Sequence, residues 1–374
     1  MILPPNIRPF ACVFGATLVA TLLLASRPAV ATEAGRCHGI DMLAELQTTS
    51  PELYKKVMEE SKALPNTEAV FWKVEKPGVE PSYLFGTMHL SDPRISELSQ
   101  KAKDAIAKSK SVTLEVADLS DKAVGDAMAK DRNLIVYADG SKSLKTQLSD
   151  DEYKKVGKVV SKSGMPAEFA SVLKPWLVSM LLATSDCERR QLASGAKVLD
   201  LRVAAEAQKD GMTVGGLETV EDQLAALAAV PEDQQVAMLK VGLKYIDRAD
   251  DMMETLVQMY VKRQIGAAMP FQLALAAETG VPASAFDGFK KTLLVDRNVK
   301  MRDAAAPMLE KGNAFIAVLH EKTTPSEEEF AKQKEGIREQ LLKRKQDDVF
   351  ADLTRLLKKR STITYNQDAL LKFS

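Results

Sequence analysis

The residues of this chain that could do chemistry follow two apolar segments. The segment "SYLFGTMHL" (82–90) places His89 directly after an apolar run, and "SVTLEV" (111–116) carries Glu115 near its end. Thr87 and His89 are two residues apart and therefore point to the same side of the strand end. A histidine and a carboxylate from two strands can bind one divalent metal ion, or act as a base and its orienting partner. A core histidine hydrogen-bonded to a buried glutamate is the structural alternative.

The stretch between these two segments has apolar residues at helical spacing. They are Ile95, Leu98, Ala102, Ala105 and Ile106. A strand, a helix and a strand within about 35 residues predict a βαβ unit whose two strands are parallel neighbours. Ligands bind at the carboxyl ends of such strands, so we expect His89 and Glu115 to line one crevice.

The middle of the chain, about residues 120–285, is predicted to be mostly helical. Ser149 is the expected cap of one helix, and Thr219 and Asp222 resemble a capping box directly after Glu218. The Met-rich faces of these helices indicate core rather than a cofactor site. We therefore predict an α+β or α/β protein in which a βαβ-containing central sheet carries a large helical insertion and a long C-terminal helix.

The segment "LLVDRNVKMRDAAAPMLEKGNAFIAVLH" predicts one more helix and one more strand. The helix begins at Asp296, Arg297 and Asn298, and Gly312 ends it. A strand over 314–319 follows, and His320 comes directly after this strand, as His89 does after its own.

The N-terminal segment, residues 1–31, is typical of a secretory signal peptide. An apolar run extends from Phe10 to Ala25, and Ala29 and Ala31 form an A-x-A cleavage site. An uncleaved anchor is the alternative, since the run approaches the roughly 17 residues of the shortest spanning helices. We expect a periplasmic or secreted protein with no transmembrane segment after cleavage.

Cleavage after Ala31 removes Cys12 and leaves Cys37 and Cys187. In an exported protein such a pair predicts one disulfide, and two buried thiols that never meet are the alternative. The 51 basic residues balance the 51 acidic ones, which gives no electrostatic case for a nucleic-acid partner.

Five segments resemble the TraB/GumN family and occur in that family's order. They are "WKVEKPGVEPSYLFGTMHLSDPR", "VTLEV", "KPWLVSMLL", "GGLETVEDQLAAL" and "LLVDRNVKM". The family is similar to the Tiki metalloproteases and, distantly, to the erythromycin esterase and ChaN-like proteins. The resemblance runs from about Cys37 to His320 and implies a pair of G-x-x-H motifs whose histidines, with a glutamate, form a metal or hydrolytic site.

The resemblance carries over to individual residues of this sequence. The implied ligands of a divalent metal ion are His89, Glu115 and His320. The implied catalytic residues are Glu115, Glu218, Arg297 and Asn298. The second motif departs from the family pattern, because it reads "AVLH" with Ala317 in place of the glycine. We expect the methyl group of Ala317 to occupy space that a glycine leaves for metal or substrate.

The tail, residues 321–374, is predicted to be a C-terminal helical extension of a TraB/GumN-like domain that spans 32–320. Its apolar stripe consists of Phe330, Ile337, Leu341, Val349, Leu353 and Leu356. The tail resembles the C-terminal helix and strand of periplasmic parvulin-type prolyl isomerase chaperones, as either a fused segment or a divergent ending.

The motifs and the family resemblance together indicate two possible functions. The first is a metal-dependent hydrolase that acts on the peptide or ester bonds of a peptide or protein substrate, with Arg297 and Asn298 stabilising oxyanion charge. The second is a catalytically inactive periplasmic binding or chaperone-like protein. The intact first motif favours the first function, and the altered second motif favours the second.

Overall fold

Five strands form one mixed sheet in the order β1-β2-β5-β3-β4. The strands are β1 Phe71–Lys76, β2 Val79–Thr87, β3 Ser111–Val116, β4 Val214–Glu218 and β5 Ala314–Leu319. Strand β1 runs antiparallel to β2, and the β2–β5, β5–β3 and β3–β4 pairs are parallel. The carboxyl ends of β2, β5, β3 and β4 therefore lie at one edge of the sheet.

The structure is a computed structural model that describes residues 37–118, 120–137, 140, 142–312 and 314–319. Its α-helices are α1 Met42–Thr49, α2 Pro51–Ala63, α3 Pro93–Ser96, α4 Gln100–Lys108, α5 Asp121–Lys130, α6 Asp150–Lys162, α7 Pro175–Ala183, α8 Asp186–Ala193, α9 Leu199–Lys209, α10 Val220–Ala228, α11 Glu232–Lys244, α12 Ala249–Val261, α13 Ala268–Glu278, α14 Asp287–Phe289 and α15 Arg297–Lys311. These helices and the sheet confirm the predicted mixed fold class with a large helical insertion. The signal peptide, His320 and the C-terminal extension lie outside the described residues.

The prediction that the strands of the βαβ unit are neighbours is wrong, although β2 and β3 do run parallel. Strand β5 lies between them, with Phe315 level with both Tyr83 and Val112. The reason is that β5 is apolar on both faces, which suits the centre of a sheet covered on both sides. Phe315 and Ala317 face one apolar cluster, and Ile316 faces another.

The helix predicted between these strands is interrupted. It consists of α3 and α4, and the hydroxyl of Ser99 accepts a hydrogen bond from the amide of Ala102 and so starts α4. A serine at this position competes for backbone donors and favours a new cap over a continuous helix.

Other local signals of the sequence are present as expected. Ser149 and Glu152 form a capping box at the start of α6, as Thr219 and Asp222 do at the start of α10. Helix α15 ends at Gly312, where φ is 74° and a Cβ would lie 2.4 Å from the carbonyl oxygen of Glu80. Only glycine fits there without strain.

The main apolar cluster lies on one face of the sheet, where helices including α2, α9, α12 and α13 cover it. Ala317 is fully buried in this cluster. Helix α15 covers the opposite face over β5, and a separate cluster around Trp176 and Leu239 joins α7 and α11. The sheet is thus held between two layers, with its carboxyl edge available for a site.

Cys37 and Cys187 form the predicted disulfide, with their Cα atoms 5.7 Å apart. This bond ties the residues before α1 to α8. Within the described ranges, none of the helices combines the length and the apolar character that crossing a bilayer requires.

Candidate active site

His89 and Glu115 meet at the carboxyl edge of the sheet. Strands β2 and β3 lie about 10 Å apart, two strand spacings, because β5 separates them. Their side chains close this gap, and Nε2 of His89 lies 3.8 Å from Oε2 of Glu115. The side chain of Glu115 is 2% exposed and that of His89 is 39% exposed. The imidazole is therefore the part of the pair that a substrate can reach.

Asp200, on α9, holds the other side of the imidazole. Nδ1 of His89 lies 2.9 Å from Oδ2 of Asp200, and the hydroxyl of Thr87 donates to Oδ1 over 2.8 Å. One buried carboxylate thus binds both side chains that the alternation of the strand places on one side. With the Nδ1 proton held by Asp200, Nε2 is directed towards Glu115.

The charges around His89 shift its pKa. Burial lowers the pKa of the imidazole, but the hydrogen bonds to Asp200 and Glu115 outweigh burial and raise it to about 10. Two carboxylates on opposite sides of one ring therefore stabilise a positive charge at His89. A metal ion bound at Nε2 would supply this positive charge in place of the Nε2 proton, since both need the same lone pair.

Arg297, the first residue of α15, bridges Glu115 and Glu218. Its Nη2 donates to Oε2 of Glu115 over 2.7 Å, and its Nε donates to the two oxygens of Glu218 over 3.0 and 3.2 Å. Gln223, on α10, also donates to Oε2 of Glu115 over 3.3 Å. Burial lowers the pKa of Arg297, but the bonds to these two carboxylates outweigh burial and raise it. The guanidinium therefore fixes the carboxylates of Glu115 and Glu218 relative to one another, and its role towards an oxyanion stays a prediction.

Asn298 follows Arg297 on α15. Its amide donates to the carbonyl of Leu294 over 2.8 Å, and the residue lines an apolar cavity of about 800 Å³ with Trp72, Leu84 and Met301. The structure therefore brings together His89, Glu115, Glu218 and Arg297.

Further contacts fix the backbone on either side of His89. The hydroxyl of Tyr260 donates to the carbonyl of Gly86 over 2.7 Å. Both the amide and the hydroxyl of Ser91 donate to the carboxylate of Glu188, over 2.8 and 2.9 Å. Glu188 directly follows the disulfide cysteine Cys187, so the covalent bond lies next to the residue that anchors this loop.

The donors fit part of a metal site. Two ligands that each bond an ion at roughly 2.1 Å lie roughly 3–3.5 Å apart, and Nε2 of His89 and Oε2 of Glu115 approach this separation. Asp200 supplies the hydrogen bond to the distal ring nitrogen that metal-bound histidines usually have. Among the described residues, no group of three or more His, Cys, Asp or Glu side chains has the arrangement of a metal site. The predicted third ligand, His320, lies outside them.

Sequence reasoning missed Asp200, Gln223 and Tyr260. Asp200 left a usable signal, because it lies on the apolar stripe of α9 with Val203 and Ala207, and a lone carboxylate on a buried face needs a partner. Gln223 and Tyr260 carried no comparable signal, since their partners come from distant parts of the chain.

Comparison with known families matches the TraB/PrgY/gumN family to residues 70–318, and the chain belongs to that family. The match spans four strands, all of β5 except Leu319, and every described member of the candidate site. No curated protein and no solved structure matches the chain. The resemblance of residues 321–374 to parvulin-type chaperones stays a prediction, because the family match ends at residue 318.

Proposed function

We propose that this TraB-family protein is an exported, metal-dependent hydrolase that cleaves peptide or ester bonds at His89 and Glu115. The observation that carries the proposal is the imidazole of His89, partly exposed between the buried carboxylates of Asp200 and Glu115 at the carboxyl edge of parallel strands. An ionisable side chain with a strongly shifted pKa, held by specific charged partners in an open crevice, is characteristic of a functional site.

A divalent metal ion would be held by Nε2 of His89 and the carboxylate of Glu115. Such an ion would act as a Lewis acid and would lower the pKa of a water molecule bound to it. When a metal ion replaces the Nε2 proton of His89, the three carboxylates of Asp200, Glu115 and Glu218 outnumber the one guanidinium of Arg297, which supports the binding of a cation.

Neighbouring side chains orient His89 and Glu115. Asp200 holds the Nδ1 proton of His89 and so presents Nε2 to the open side of the site. Arg297 and Gln223 hold the carboxylate of Glu115 in place. Glu218 in turn orients Arg297, so the accessory positions act by positioning the reacting groups.

His320 would complete the ligand set. Leu319, the last residue of β5, pairs in register with Thr87, two residues before His89. This register supports the proposal, because the chain leaves β5 at the same level of the sheet edge at which it leaves β2.

Two measurements on the purified protein test the proposal. The first is the metal content after purification without chelator or affinity-tag metal. The second is hydrolysis of a panel of peptides and esters with added Zn²⁺ or Mn²⁺. We expect His89→Ala and Glu115→Gln to lose both bound metal and turnover, and the exposed controls His38→Ala and Glu52→Gln to keep them.

Equal turnover in the parent and in the two site variants would exclude these residues as the catalytic centre. Absence of turnover in the metal-loaded parent would reject the hydrolase in favour of the binding or chaperone-like protein. Export is tested separately by mass spectrometry of the mature protein, which we expect to begin near Thr32.

A further inference from the structure

A cavity of about 670 Å³ lies beside α4 and α9. It is polar, unlike the apolar cavity that Asn298 lines. Its basic side chains are Lys103, Lys197, Arg202 and Lys209, and its acidic side chains are Glu97 and Glu206. The cavity therefore carries an excess of two positive charges, in a chain whose basic and acidic residues balance overall.

Arg202 is the unusual member of this group. Its Nε atom is buried and has no hydrogen-bond partner. Across the described part of the chain, Arg202 also takes no part in an ion pair. A buried donor without an acceptor costs free energy, and native proteins leave few of them. Arg202 also lines the polar cavity, so its guanidinium is available to an anionic ligand there and is not committed to a carboxylate of the described residues.

The cavity is separate from the candidate active site, although both use α9. Arg202, Glu206 and Lys209 recur at spacings of four and three residues and so share one side of the helix. Asp200 is two residues before Arg202, about 200° around the helix, and it faces His89. A ligand on the Arg202 side therefore makes no contact with Asp200 through the same helix face.

We propose that this cavity binds a small phosphate-bearing molecule, with the guanidinium of Arg202 as its anchor. Guanidinium presents a planar fork of donors that matches the oxygens of phosphate, and Lys103 and Lys197 add point charges. A phosphate group carries about −1.5 to −2 charge near neutral pH, which matches the excess in the cavity better than one carboxylate does. Lys209 is paired with Glu206 over 2.6 Å and contributes less.

Lys103, Lys197 and Lys209 are exposed, so the alternative is a solvated basic surface that has no specific ligand. A solvated surface attracts all anions weakly and depends on the number of charges alone. An anchored site depends on Arg202 in particular. The inference does not rest on the proposed hydrolysis, because it uses different residues and a different cavity.

Isothermal titration calorimetry of the purified protein tests the proposal, with inorganic phosphate, glycerol phosphate and acetate as probes at low salt. We expect either or both phosphate probes to bind and acetate to bind at least about 10-fold more weakly. Arg202→Ala should lower phosphate affinity at least about 10-fold. Arg202→Lys, which keeps the charge but not the fork, should lower it measurably.

Lys108→Ala is the matched control, because Lys108 is an exposed lysine of α4 outside the cavity. It removes the same charge as Arg202→Ala and should leave phosphate affinity unchanged. Equal affinities for Arg202→Ala, Lys108→Ala and the parent would overturn the proposal, as would equal binding of acetate and phosphate. Circular dichroism of each variant separates loss of binding from loss of fold.

Discussion

Nδ1 of His89 lies 2.9 Å from the Oδ2 carboxylate oxygen of Asp200, although 111 residues separate them along the chain. This contact joins the strand end that carries the G-x-x-H motif to a helix of the insertion. It makes the orientation of the imidazole depend on α9 as well as on the sheet.

The first prediction concerns this contact. Asp200→Asn keeps the size of the side chain but removes the charge that stabilises the Nδ1–H group. We expect metal affinity and hydrolytic turnover to fall about 10–100-fold, which is the usual effect of losing a carboxylate that is hydrogen-bonded to a metal-binding histidine. Asp210→Asn, which alters an exposed carboxylate at the end of the same helix, should leave both unchanged. Equal values for the two variants, with equal circular dichroism, would contradict the role of Asp200.

The second prediction concerns Arg297, which lies between Glu115 and Glu218. Arg297→Gln leaves the carboxylates of Glu115 and Glu218 without the guanidinium that bridges them, and we expect it to lower the free energy of unfolding by about 3–5 kcal/mol. Arg297→Lys should lower it less, because one ammonium group keeps the charge but cannot reproduce the fork. Urea denaturation measures both values.

Arg302→Gln serves as the control on the same helix. Arg302 is exposed, and its one ion pair within the described residues is with the exposed Asp303, so its loss should change stability by less than about 0.5 kcal/mol. If Arg297→Gln were as stable as Arg302→Gln, the bridge between the two carboxylates would contribute nothing.

The third prediction concerns the disulfide, which closes a loop between residues 150 positions apart. Reduction should lower the free energy of unfolding by about 2–5 kcal/mol, and the double variant Cys37→Ser, Cys187→Ser should show the same loss without reductant. Reductant should not lower the stability of the double variant any further. The double variant therefore controls for effects of the reductant that do not involve this disulfide. Two reactive thiols in denatured, unreduced protein would show that the bond does not form.

The fourth prediction concerns the pH dependence of stability at Glu254. Burial raises the pKa of this carboxyl, but bidentate hydrogen bonds from Arg94, of 2.7 and 2.6 Å, outweigh burial and lower it. Asp92 also binds Arg94 and raises the pKa of Glu254 slightly. A carboxyl with a lowered pKa in the folded state stabilises the fold above its unfolded pKa, near 4.3, and loses this contribution as pH falls through the folded value.

Glu254→Gln should therefore be less stable than the parent by about 1–3 kcal/mol at pH 7. The difference should shrink as the pH falls below about 4. Glu310→Gln, at an exposed position, should follow the parent at every pH. A difference for Glu254→Gln that stays constant down to pH 3 would show that the ion pair with Arg94 is not its cause.

The sequence predicted the local features of this fold better than its long-range arrangement. Caps at Ser149 and Thr219 depend on neighbouring backbone groups, and a single chain segment contains all that determines them. The stop at Gly312 was also predicted, although the close approach of Glu80 that requires a glycine there comes from a distant strand. The position of β5 between β2 and β3 depends on burial of both strand faces, which no short segment encodes. The break at Ser99 was missed because apolar spacing continues across it.

The sequence likewise predicted some residues of the candidate site and missed others. His89 and Glu115 were predicted to lie near one another because strand ends share an edge, and they do so even though the strands are not neighbours. The bridge from Arg297 to Glu218 could not be derived from spacing, since it joins β4 to α15. Asp200 was overlooked, despite its place on the buried face of α9, because its partner His89 lies 111 residues away along the chain.

The central place of β5 has a consequence for the order of folding. The strand in the middle of the sheet is the last of the five along the chain, so β2 and β3 have open edges until residues 314–319 have emerged. Closing the sheet requires contacts between segments more than 200 residues apart, which slows folding and exposes strand edges to other chains in the meantime. A newly made chain therefore depends on protection from aggregation until its last described strand has inserted.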